Sequence, residues 1–146
     1  MCIEVIRTPA ICMIGEMIGE MTGKVTGKRL VHPYGGDLKL ETTIESKGTI
    51  LGTEITFIAT FWSKERRQGG KFSKGNAIMM TDSGETAVLH GSGISMPGKG
   101  PAWNLRGVRY LQTSSPALSR LNDVALVFEI EIDPDGTVHD RMWEWK

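Results

Sequence analysis

Three ionisable side chains stand in registers otherwise reserved for apolar residues. Leu126, Phe128, Ile130 and Ile132 recur at period two, the alternation of a half-buried strand. Beyond Asp133-Pro134-Asp135-Gly136, a hairpin pairing puts Val138, Asp140, Met142 and Glu144 on that same face. Asp140 and Glu144 are therefore carboxylates among apolar neighbours. Arg109 holds the corresponding place among Trp103, Leu105 and Leu111. A buried charge needs a partner, water or a ligand. Arg109 is thus expected either to bridge Asp140 or Glu144 across an interior, or to anchor a ligand there. A buried carboxylate with a raised pKa is also a candidate general acid or base. Asn76 and His90 face each other in the register set by Asp82-Ser83-Gly84, and Tyr110 offers a hydroxyl. The candidate catalytic residues are Asp140, Glu144 and His90. The candidate ligand-binding residues are Arg109, Tyr110, Asn76, His90, Asp140 and Glu144, each with a plain structural role as its alternative.

Strands must position these groups. Period two runs from residue 38 to the end. Asp82-Ser83-Gly84 separates Lys71–Thr81 from Glu85–Ser95, and Asp133-Pro134-Asp135-Gly136 separates Asn122–Ile132 from Thr137–Lys146. Both fit a type I turn followed by a left-handed glycine. The last hairpin sets Glu131 opposite His139 and Glu129 opposite Arg141, a cross-strand charge match. Lys47-Gly48 is expected to turn an earlier hairpin, pairing Ile44 with Leu51 and Leu40 with Ile55. Trp103–Thr113 is another alternating strand, and Ser115-Pro116 is a helix-start signal, so one short helix is expected near residues 115–121. Ser73, Gly75, Gly91 and Gly93 leave little side-chain volume on one face of their hairpin, either a void for a ligand or a place where another segment packs closely.

Residues 13–28 are four tandem tetrapeptides, Met-Ile-Gly-Glu twice, Met-Thr-Gly-Lys and Val-Thr-Gly-Lys. A helix would bear four glycines at about 1 kcal/mol each, so the reading is a strand, bent or broken in two by its glycines. Met13, Met17, Met21 and Val25 then share its inward face. The total is about eight antiparallel strands joined as a meander. Closure removes exposed edges, and the expected fold is an all-β closed barrel, one domain over residues 1–146. An eight-stranded barrel has room for its own side chains or one small ligand.

Composition narrows the functions. The 146 residues carry 17 basic and 17 acidic side chains and no net charge, without the overall basic footprint of a nucleic-acid binder. No apolar run approaches the roughly 20 residues of a membrane helix, and Glu4, Glu16 and Glu20 break any signal-peptide pattern. A cytoplasmic protein is expected. Cys2 and Cys12 with scattered His32, His90 and His139 offer no zinc spacing; no metal or cofactor is expected. The loop Met96–Pro101 lacks the lysine-hydroxyl end of a phosphate loop. Lys64, Arg66, Arg67, Lys71 and Lys74 crowd one segment, read either as a solvated loop or as a basic rim that draws an anionic ligand.

Gly91-Ser-Gly-Ile-Ser-Met-Pro-Gly-Lys-Gly100 and Gln112-Thr-Ser-Ser-Pro-Ala-Leu118 resemble stretches shared by an uncharacterised prokaryotic family of small β-barrels, a resemblance that spans most of the chain from about residue 20. More widely the sequence looks like allene oxide cyclase-like and lipocalin-like barrels, on topology alone. The resemblance implies a barrel fold and brings no established activity. Cyclase and lipocalin motifs are missing, so no catalytic residue carries over.

The leading expectation is a barrel that binds a small, partly apolar ligand. Its rivals are a small lyase or isomerase using Asp140, Glu144 or His90, and a structural or partner-binding barrel. Trp62, Val127, Trp143 and Trp145 fall on the outer face and suggest a homo-oligomer, dimer or trimer.

Overall fold

The computed structural model describes residues 14–32, 38–67, 69–97 and 103–145. Cys2, Cys12, Met13 and most of the Met96–Pro101 loop lie outside them. The strands are β1 (Ile14–Val31), β2 (Lys39–Ile50), β3 (Thr53–Glu65), β4 (Lys71–Thr81), β5 (Thr86–Pro97), β6 (Trp103–Thr113), β7 (Ala125–Ile132) and β8 (Thr137–Trp145). Each pairs antiparallel with the next, and β8 returns to β1, so the meander closes as a barrel. Most outward residues of β1 and β2, among them Glu20, Lys24, Glu45 and Lys47, are polar, with Met17 an exception. No described helix is long and apolar enough to cross a membrane.

The hairpins differ in how the sequence encodes them. Glu131 lies opposite His139 and Glu129 opposite Arg141, and Asn76 opposite His90, as the turn residues predict. The β2–β3 turn is not at Lys47-Gly48. It falls at Leu51-Gly52, both with positive φ (50° and 76°), the type I′ pattern. Gly48 instead serves a close approach: a Cβ there would lie 2.0 Å from the Glu20 carbonyl oxygen. The true register pairs Ile44 with Ala59 and Leu40 with Ser63. It is displaced by an even number of residues, so the inward faces survive the correction.

β1 is a single strand with irregularities between Ile14 and Met17, Met17 and Gly19, and Val25 and Gly27. A bulge inserts one residue and reverses the side chains beyond it. Met17 therefore pairs with outward Trp143 and is exposed, contrary to the repeat's simple alternation, whereas Met21 is buried in the core. Beyond the third irregularity, between Val25 and Gly27, Lys28 pairs with buried, inward Thr42.

One end of the barrel is closed by the β6–β7 connection. The expected helix is a single 3₁₀ turn, Ser119–Asp123. Leu118 and Leu121 are fully buried beneath it. The Ser115 hydroxyl donates to Glu85 (3.0 Å) rather than capping a helix. Asn122 ties the connection back to the Thr113 backbone through 2.8 and 2.9 Å bonds.

Candidate functional site

The lumen is lined by alternate residues of every strand, and its polar centre is Arg109. This side chain leaves β6, passes over the inward row of β7 and reaches β8. Its two terminal nitrogens donate to both carboxylate oxygens of Asp140, at 2.9 and 2.7 Å. The guanidinium carbon lies 4.1 Å from the Phe128 ring centre and 5.3 Å from that of Phe57, within cation–π range. Asp140 is fully buried and Arg109 nearly so. Burial pushes the Asp140 carboxyl above its ordinary range, and Arg109 opposes that rise. Fork-to-fork geometry suits a paired carboxylate, and neither group is left to act alone.

Glu144 is also buried, two pleat repeats nearer the closed end. Arg120 of the 3₁₀ turn donates to its carboxylate. Of the two partners anticipated for Arg109, the structure thus selects Asp140 and gives Glu144 a cation from the plug. The inward placement of all three charges follows directly from the β6 and β7–β8 alternation.

Asn76, His90 and Tyr110 are elsewhere. They form adjacent positions of one outward row across β4, β5 and β6. His90 Nδ1 sits 2.6 Å from Asn76 Oδ1 at the surface, and Tyr110 is among the most exposed aromatics. The sequence leaves open which face of the residue 71–95 hairpin points inward, and strand parity places these three candidates on the outer one. Ser73, Gly75, Ala77 and Met79 take the inward face of β4, which turns Asn76 outward. The tryptophans also fail to make one patch. Trp62 is on β3, tilted against Phe72 at 5.7 Å, three strands away from Trp143 and Trp145 on β8. Trp143 is itself buried.

The cavity lies between Arg109 and the end away from the plug. Its inner part, about 40 Å³, is bounded by Phe57, Phe61, Leu105, Phe128 and Arg109 against Ser73, Gly75, Ala77, Gly91 and Gly93. The small residues therefore do leave a void, though a narrow one. Close strand contact is their second role: a Cβ on Gly75 would meet the Thr60 carbonyl oxygen at 2.4 Å. The outer part, about 100 Å³, shares Phe61, Ser73, Leu105 and Ile130 with the inner part and extends to Lys28, Lys71, Ser95 and Trp103. Ser63 and Ser73 bond each other at 2.8 Å on its wall. The Ser46 hydroxyl, buried on the inward face of β2, has no hydrogen-bond partner among the described residues.

Lys28 and Ser46 escaped sequence reading. The tetrapeptide repeat equates Lys28 with Lys24, and only the bulge at Thr26 distinguishes them. Ser46 continues the inward row of Thr42 and Ile44, but nothing in the alternation marks its hydroxyl as one left without a partner.

No family model matches the sequence, and no curated protein matches it either. Solved structures do. A protein with unknown function from Clostridium acetobutylicum ATCC 824 superposes with a TM-score of 0.74 at 15% identity, covering 90% of this chain and 98% of that one. A beta-barrel like protein from Acinetobacter baumannii AYE gives 0.76 at 12% identity, covering 96% and 99%. These are similar small closed barrels. An enzyme from Penicillium herquei gives 0.58 at 12% identity, covering 94% of this chain and all of its own. At such identities the likeness establishes the fold alone.

Proposed function

We propose that the barrel binds a small, partly apolar molecule in the lumen, between the Arg109–Asp140 pair and the end away from the plug. The observation that carries this reading is a pair of adjoining cavities, sharing Phe61, Ser73, Leu105 and Ile130, that reach from Arg109 to Lys28 and Lys71, apolar on most of their wall and interrupted by a few hydroxyls. Ligand pockets have this character. The buried ion pair serves as a polar floor whose charges already cancel, so an apolar group can approach it without desolvating a free charge.

Native mass spectrometry of protein purified from its own host tests the reading, with Ser73→Leu as control. Ser73 lines both parts of the cavity, and leucine there fills them. A co-purified small molecule lost in Ser73→Leu is the expected result. A bare chain mass, with no small molecule raising the melting temperature of the wild type, would overturn it.

The lyase or isomerase reading, drawn from an allene oxide cyclase-like barrel, is less well supported. It needs two of Asp140, Glu144 and His90 to converge, whereas each has a different partner and His90 faces outward. Self-association has support from a different surface than the tryptophans. Ile58, Ile78 and Val88 are adjacent across β3, β4 and β5, with Met80 beside them, and all four are exposed. The same native spectra report the subunit count. Ile78→Lys should shift any dimer or trimer to monomer, and an unchanged assembly excludes this face.

A further inference from the structure

We propose that the outer part of the cavity selects a small monoanion, a carboxylate on an apolar body about the size of one ring, held between Lys28 and Lys71. The inference rests on the lumen reading above and specifies its ligand class.

Four features support it independently. The bulge at Thr26 turns Lys28 from the outer surface, where its repeat counterpart Lys24 lies, to the rim of the cavity. Bulges commonly re-aim side chains in this way beside sites. Lys28 makes no hydrogen bond or ion pair among the described residues. Lys71 points into the same space, its ammonium 4.3 Å from the centre of the Trp103 ring. Its acidic neighbour among the described residues, Glu65 at 3.7 Å, is 78% exposed, and such a pair is weak in water. The remaining wall supplies Leu105, Ile130 and Ile132 for an apolar body, and Ser95 and Thr42 for hydrogen bonds.

Volume sets the size class. The two parts of the cavity together approach the roughly 150 Å³ apolar void that accommodates benzene. A long acyl chain exceeds that space. Exposed Arg66 and Arg67, on the connection that follows β3 at the same end, add a positive field that concentrates small anions at the rim.

Titration of the intact protein with benzoate and its neutral isostere benzamide, read by tryptophan fluorescence and by chemical-shift perturbation, tests this. The expected result is a benzoate Kd at least about tenfold below that of benzamide, weakening with salt. Lys28→Gln and Lys71→Gln should each raise the benzoate Kd by about fivefold, the scale of one lost charge-assisted contact, and leave benzamide unchanged. Ser73→Leu should weaken both compounds. Equal affinities for the two, with no response to either lysine substitution but loss in Ser73→Leu, would overturn the anion selectivity while the lumen reading stands. Binding untouched by Ser73→Leu would overturn both. No binding of benzoate at millimolar concentration would overturn the inference, and the native mass spectra would still decide the lumen reading.

Discussion

Removing the Arg109 guanidinium while keeping its stem, as in Arg109→Met, should destabilise the barrel by about 3–5 kcal/mol at pH 7, the cost of stranding one member of a buried pair. The side chains of Arg109 and Asp140 are 6% and 0% exposed, so water cannot replace the two lost donors. The loss includes the contacts to Phe57 and Phe128. A domain of this size has about 5–15 kcal/mol in total, and its melting temperature moves about 2–4 °C per kcal/mol. A fall of roughly 6–20 °C follows.

The pH dependence identifies the cause. Burial holds the Asp140 carboxyl above its ordinary pKa and Arg109 counteracts that, so Arg109→Met raises it further. A carboxyl with a raised folded-state pKa contributes stability that is fully present below its unfolded value, near 3.9, and is lost as pH rises through the folded value. The mutant's deficit should therefore keep a constant value, that of the lost aromatic contacts, while Asp140 is protonated in both folded proteins. It should grow by up to about 1.4 kcal/mol per pH unit only above the wild type's own raised folded value. Urea unfolding followed by tryptophan fluorescence from pH 4 to 7 measures it. Arg109→Met with Asp140→Leu should recover most of the loss, since replacing both partners of a buried pair by apolar groups is often neutral or stabilising. A deficit below about 1 kcal/mol at pH 7, a deficit independent of pH, or a double variant as unstable as the single one would refute the reasoning.

Leu121→Ala should cost about 2–5 kcal/mol in the same assay, because the side chain is fully buried under the plug and leaves a cavity there. Gly48→Val should prevent formation of the β1–β2 contact, since its Cβ meets the Glu20 carbonyl oxygen at 2.0 Å and Met21 Cα at 2.7 Å. Collapse of amide chemical-shift dispersion is the readout. Gly84→Ala provides the contrast: its φ is 87° but nothing lies within 4 Å, so about 1–2 kcal/mol of backbone strain is the whole cost. Asp135 has its carboxyl lowered by hydrogen bonds from Thr137, first the backbone N–H and then the hydroxyl. It thus contributes stability present above pH 3.8 and lost as pH falls, and Asp135→Asn should flatten that limb of the stability–pH profile.

The barrel was legible because two hairpins carry their own instructions. Asp82-Ser83-Gly84 and Asp133-Pro134-Asp135-Gly136 fix turn and register together, and register fixes the face of every residue. Arg109, Asp140 and Glu144 were readable as interior charges for that reason. The β2–β3 hairpin was misread because Gly48 resembles a turn glycine, and a chain alone does not disclose the Glu20 carbonyl that it must clear. His90 was legible as the partner of Asn76 but not as a surface residue. Both faces of β4 and β5 mix small, apolar and polar side chains, so alternation could not choose between them.

The bulge at Thr26 explains why near-identical repeats acquire different roles. Met-Thr-Gly-Lys and Val-Thr-Gly-Lys share a pattern, but a register shift between Val25 and Gly27 separates Lys24 from Lys28. Lys24 stays outside, donating to the Thr137 hydroxyl at 3.0 Å, whereas Lys28 comes to the cavity rim. One extra backbone residue thus converts a surface cation into a cation at the rim. The repeat alone would place both lysines outside, and among the described residues Lys71 would then be the one weakly paired charge at the cavity, beside Arg109 with Asp140 and Arg120 with Glu144. A barrel built to be filled by itself has no need of that conversion. Charge placed where the interior meets solvent, beyond an apolar wall and a neutralised floor, is the arrangement that an amphiphilic guest requires.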